Sequence, residues 1–102
     1  MKKIKRNLEM KHWIKSFDDK IILTLIESSM DNFSGYKFSD FSDNSKIEDL
    51  VSTMKFYNIM RIVINKFAFA NRFFHWYDKL NYDDKEEFNR LIKDKMIEVS
   101  SQ

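Results

Sequence analysis

A chain of 102 residues with one glycine and no proline has very little with which to turn sharply. Tight hairpins draw on glycine or asparagine at positive φ, and proline is a common stop for a helix, so helices are favoured over a many-turned sheet. The expected fold is all-α: a small bundle of four to five helices around a central hydrophobic helix, with one loop at about 31–45 that has room for a short strand. Hydrophobic residues make up 43% of the chain and aromatic residues 16%, which is ample material for a core. The length suits one helical domain, residues 1–102.

The same composition excludes several chemistries. Without cysteine there is no disulfide and no thiolate metal site. Phosphate-cradling loops need glycine for close backbone approach, and Gly35 stands alone. The longest stretch free of charged residues runs six positions, Ile21 to Ile26, whereas a membrane-spanning helix needs ~20 apolar residues. The opening Met1-Lys2-Lys3-Ile4-Lys5-Arg6 has the charge of a signal peptide, but Glu9, Lys11 and Lys15 interrupt the place of its apolar segment. A cytoplasmic location is therefore expected, and there the acceptor pattern Asn32-Phe33-Ser34 has no consequence. Abundant Lys, Ile, Asn and Phe beside two Ala reflect AT-rich codons, which suits a phage or mobile element.

Helix signals divide the chain. Lys2 to Ile14 reads as a basic helix with Ile4 and Leu8, joined by Trp13 or Ile14, as its apolar contacts. Ser16, with its hydroxyl accepting a backbone N–H, and Asp18 and Asp19, at the positive end of the dipole, mark the start of a second helix. It runs from about Phe17 to Met30, with Ile22, Leu25, Ile26, Ser29 and Met30 as its stripe; the run Ile21 to Ile26 also fits a short buried strand. Asp31 to Ser45 breaks into Asn, Ser, Gly and Asp around Phe33, Tyr36, Phe38 and Phe41, the pattern of a loop, with a strand at Tyr36 to Phe38 as an option. Ser45-Lys46-Ile47-Glu48 is a capping box.

Nothing obvious stops the helix that starts there before Asn81, and unbroken it would make a rod of about 51 Å at 1.5 Å per residue. Either it bends near Asn58, Asn65 or Asn71, or the molecule is elongated and dimeric. Between Phe56 and Tyr77, 15 of 22 residues are apolar and point all around one helical wheel, the mark of an element packed on most sides or of two consecutive helices. Asp83-Asp84-Lys85-Glu86 caps a last helix whose Phe88, Leu91, Ile92, Lys95 and Val99 share a face, with Glu86 spaced to pair with Arg90.

Candidate chemistry is sparse. Of the two histidines, His75 has Asp78 three residues on, but one histidine and one carboxylate fall short of a tetrahedral zinc set. The carboxylate pairs Asp18-Asp19, Asp83-Asp84 and Glu86-Glu87 sit where helices start and diverge, unlike an acid–base pair. No serine or threonine stands in a nucleophile setting. The expectation is a protein that is not an enzyme, with no catalytic residue, metal or cofactor.

Charge is more informative. Residues 1–15 hold six cations and one carboxylate, while the remaining 87 hold twelve cations and fifteen carboxylates. The chain is polarised, basic first and acidic after. Around the loop Asp31, Asp40, Asp43, Glu48 and Asp49 outnumber Lys37 and Lys46. Tyr36, Phe38, Asp40, Phe41, Asp43, Glu48 and Asp49 are therefore the candidate partner-binding residues, rigid rings supplying contact and carboxylates steering a basic surface. The function expected from these features is protein binding by an immunity protein, an antitoxin-like protein or a phage-encoded inhibitor. It would occlude the functional site of a toxin or host enzyme with a basic surface.

The alternative is a helical nucleic-acid binder using Lys2, Lys3, Lys5, Arg6 and Lys11 of the basic arm, with Trp13 stacking on a base, and a ridge of Arg61, Arg72 and Lys79. On one continuous helix those three cations align within about 20°, with Lys55 and Lys66 on a second ridge. Attachment of Lys2 to Lys15 to an anionic membrane is a third reading, limited by a narrow apolar face.

Overall fold

The computed structural model describes residues 2–32 and 54–101, and there the scarcity of chain-breaking residues is answered by helices throughout. They are α1 (Lys2–Ser16), α2 (Asp19–Asn32), α3 (Met54–Ile64), α4 (Ala70–Tyr77) and α5 (Tyr82–Ser100). The protein is a small all-α bundle. The aromatics Phe33, Tyr36, Phe38 and Phe41, expected in a loop, and the expected capping box Ser45 to Glu48 lie outside the described residues, while Asp31 and Asn32 continue α2.

The run Ile21 to Ile26 is helical, because its large side chains separate by the helical period: Ile21, Ile22, Leu25 and Ile26 are buried while Leu23 faces out. Ser29 completes the stripe without a polar penalty, since its hydroxyl donates to the Leu25 carbonyl at 2.8 Å. The start of α2 is a correction to the sequence reading. Asp18 is its cap, accepting the Ile21 N–H at 3.0 Å, whereas Ser16 ends α1 and donates to the His12 carbonyl. Both residue types cap well, and Asp18 stands at the position from which the third N–H is reached.

A second correction concerns α1, whose inward contacts are Met10, fully buried, and Trp13 and Ile14, partly buried. Ile4 and Leu8 point outward. Either set obeys the 3.6-residue period, and the choice is made by distant rings: Trp13 meets Phe73 edge-on at 5.4 Å and lies 6.0 Å from both Phe69 and Trp76.

The long apolar stretch divides into two helices. After Ile64 the backbone tightens, Lys66 N–H donating to Val63 and Phe67 N–H to Ile64, and α4 starts at Ala70 with no side-chain cap at Phe69. Rings occupy this turn: Phe67 stacks on Phe69 at 6.3 Å, and Phe69 reaches back to Phe17 at 5.5 Å. The turn rephases the chain, so residues that surround one continuous wheel become two inward faces, Phe56, Ile59, Met60, Val63 and Ile64 on α3 and Ala70, Phe73, Phe74 and Tyr77 on α4. The Cα radius of gyration is 13.2 Å, near the ~13 Å of a packed chain this long.

Asn81 caps α5, its side-chain oxygen accepting the Asp84 N–H at 2.8 Å, and Asp83 and Asp84 occupy the first turn at the positive end of the dipole. Phe88, Ile92, Lys93, Met96 and Val99 are buried. Lys95 has a different part from the packing one its spacing suggests. Its ammonium donates to the Ile14 carbonyl at 2.9 Å and to the Phe17 carbonyl, which closes the carboxyl end of α1. The expected Glu86–Arg90 pair is replaced: Arg90 bridges to Glu87, and Glu86 accepts the Tyr82 hydroxyl at 2.9 Å.

α2 packs along α3 and α5, and α1 packs on α5. α4 meets its neighbours through rings. Phe73 lies against Trp13, Phe17, Phe74, Trp76, Tyr77 and Phe88 at centroid separations of 5.0 to 6.1 Å. Burial of each such side chain is worth about 1.5–3 kcal/mol, and edge-to-face pairing adds to it.

Candidate functional site

The basic segment of the sequence is α1, and its fold contacts decide which of its charges face solvent. Trp76 donates its indole N–H to Glu9 Oε2 at 2.7 Å. Arg6 donates to Asp84 Oδ2 at 3.2 Å and stands 3.7 Å from Glu9. These links tie the inner edge of α1 to α4 and α5. Lys5, Lys11, His12 and Lys15 are exposed, and among the described residues no carboxylate pairs with these lysines. Lys2 and Lys3 belong to the first turn of α1.

At 100° per residue, Ile4, Lys5, Leu8, Lys11, His12 and Lys15 fall in one sector about 120° wide. Met10, Trp13 and Ile14 lie opposite. The outward face of α1 is therefore aliphatic at Ile4 and Leu8 (61% and 62% exposed) and cationic around them. No carboxylate interrupts it.

The second group of cations does not form the ridge expected of one continuous helix, because the turn between α3 and α4 resets the phase after Asn65. Arg61 folds over the Phe74 ring at 4.4 Å and donates to Asp78 Oδ2 at 3.2 Å. The Tyr57 hydroxyl donates to the other oxygen of Asp78, also at 3.2 Å. Burial, helped by the Asp78 charge, raises the Tyr57 hydroxyl above its ordinary value. Lys66, Arg72 and Lys79 are exposed, and Lys55 lies in the first turn of α3.

Asp78 is thus occupied by Tyr57 and Arg61, and His75, three residues before it, is exposed. Among the described residues no three of His, Asp and Glu gather closely enough to hold a metal ion. Trp13, the ring suggested for base stacking, is packed among Phe69, Phe73 and Trp76, with His12 edge-on at 5.3 Å. Inside, Tyr77 donates its hydroxyl to Asn89 Oδ1 at 3.0 Å, and burial pushes its pKa up to about 12. It stays a neutral donor at physiological pH.

The acidic and aromatic candidates Tyr36, Phe38, Asp40, Phe41, Asp43, Glu48 and Asp49 lie outside the described residues. The groupings that sequence reasoning missed are Tyr57–Arg61–Asp78, Arg6–Asp84 and Glu9–Trp76. The four-residue step from Tyr57 to Arg61 is a signal for the first. Glu9 and Trp76 are 67 positions apart, and no local pattern joins them. Comparison with known proteins yields no family model, no characterised protein and no solved structure that matches the chain.

Proposed function

We propose that this chain is a small protein-binding protein with no catalytic role, an immunity-type, antitoxin-like or phage-encoded inhibitor that covers the functional site of a toxin or host enzyme. What supports the reading is the placement of the aromatic side chains. Phe17, Phe56, Phe73, Phe74, Tyr77 and Phe88 are each 5% exposed or less and serve as filling. Recognition then falls to charged exteriors, and the segment 36–49 concentrates carboxylates beside aromatic anchors in the chain's sequence. Its partner would present a basic surface, steered to it at low salt.

The test is the triple variant Asp40→Lys, Asp43→Lys and Glu48→Lys against a partner captured from cells that carry the gene. Association should slow, and affinity should fall most at low ionic strength, where a Debye length of ~30 Å at 0.01 M leaves steering intact. Unchanged affinity removes this segment as the interface.

The nucleic-acid reading is favoured by the exposure of Lys5, Lys11, Arg72 and Lys79, and weakened by the engagement of Arg6 and Arg61 with Asp84 and Asp78. It predicts a salt-sensitive electrophoretic shift that Lys5→Glu with Lys11→Glu diminishes. No shift at low salt disposes of it.

A further inference from the structure

The outward face of α1 is a part of the described surface that neither the fold nor the protein-binding reading uses. Single exposed aliphatic residues are common and need no explanation. Ile4 and Leu8 are different, because they are neighbours one helical turn apart, 61% and 62% exposed, within a sector that holds Lys5, Lys11 and Lys15 and no carboxylate. Those lysines are unpaired among the described residues, whereas Arg6 and Glu9 on the inner edge satisfy each other, Asp84 and Trp76. The structure has sorted the segment into a neutralised inner edge and a cationic, aliphatic outer face.

We propose that this face docks on an anionic lipid bilayer, with α1 lying in the plane of the interface. Ile4 and Leu8 enter the boundary between headgroups and acyl chains. Lys5, Lys11 and Lys15 extend their stems along the same face and place their ammonium groups on lipid phosphates.

Charge complementarity selects an anionic occupant, and the aliphatic pair selects among the anionic ones. A nucleic-acid backbone would use the lysines but would set Ile4 and Leu8 against phosphates, where they gain nothing. A protein groove that receives a helix takes apolar anchors turn after turn, whereas past Leu8 this face carries Lys11, His12 and Lys15. A bilayer rewards both residue types in this arrangement. The attachment is peripheral, since no helix among the described residues is long and apolar enough to cross a membrane. The proposal does not depend on the partner assigned to segment 36–49.

The experiment is flotation of the full chain with phosphatidylcholine vesicles, with and without about 30% phosphatidylglycerol, at low and at raised salt. Binding is expected only with the anionic vesicles, falling at least about tenfold as salt screens the lysines. The Ile4→Ser, Leu8→Ser double variant should bind at least about tenfold more weakly while its circular dichroism and melting stay unchanged, because both positions are exposed. Lys5→Glu, Lys11→Glu and Lys15→Glu together should abolish binding. Absence of flotation with anionic vesicles at low salt overturns the proposal. Flotation that the double serine variant leaves intact also overturns it, reducing α1 to a general polycation. A single-stranded oligonucleotide bound more tightly than the vesicles, with Ile4 and Leu8 irrelevant, would assign the face to nucleic acid.

Discussion

α1 and α4 touch through Trp13 and Trp76, yet they are built on opposite terms. α1 is fifteen residues long, carries no acid in its first turn and fully buries Met10 alone among its described side chains. α4 is eight residues long and buries Ala70, Phe73, Phe74 and Tyr77. An isolated helix of eight residues would be marginal in water, so α4 owes its existence to the rings it inserts. The lesson is that helix length and helix stability separate here. The short helix anchors the bundle, and the long one is held along one edge and turns a charged face to solvent.

The change expected to damage the anchor most is Phe73→Ala. It removes a ring that sits among seven others and leaves a cavity between α1, α4 and α5, at a cost of about 3–5 kcal/mol in urea denaturation. A loss below 1 kcal/mol would mean that α4 is not the anchor.

Next in size is Glu9→Ala, which leaves the half-buried Trp76 N–H without its acceptor and releases Arg6 from one of its two carboxylates. The expected cost is about 1.5–3 kcal/mol. It should appear first as faster hydrogen exchange along α1, with α4 still protected. Equal acceleration in both helices would erase the contrast between them.

The smallest of these effects is Tyr77→Phe, about 1 kcal/mol for a hydroxyl bonded to Asn89. Its pH dependence is more informative than its size. An unfolded tyrosine ionises near 10, while burial raises Tyr77 to about 12. The stability it contributes is therefore whole below pH 10 and is lost as pH rises from there through about 12. Tyr77→Phe should flatten alkaline unfolding in that window, and an unchanged profile would place the alkaline transition elsewhere.

The sequence declared some of this and concealed the rest for identifiable reasons. α2 and α5 were readable because Ile22, Leu25 and Ile26, and Phe88 and Ile92, repeat at the helical period beside acidic first turns. The division of 56–77 was readable only as one of two options, because Phe67 and Phe69 impose the turn through contacts with each other, Trp13 and Phe17, without glycine or proline. The facing of α1 was hidden for a related reason: Ile4 with Leu8 and Met10 with Ile14 both keep helical spacing, and rings some 60 positions away choose between them. Among the candidate binding residues, Lys5 and Lys11 were legible as charge. The engagement of Arg6 by Asp84 and of Arg61 by Asp78 was not, since each pair forms only when the helices assemble.

The most direct test of the central claim, that the ring-filled interior holds the bundle while the outer side of α1 is left for recognition, is the denaturation midpoint of the Ile4→Ser, Leu8→Ser variant measured beside the unaltered chain. The account predicts stabilities within about 0.5 kcal/mol of each other, as for exposed positions generally. A loss of about 2 kcal/mol or more would contradict it, because those side chains would then be packed against the bundle.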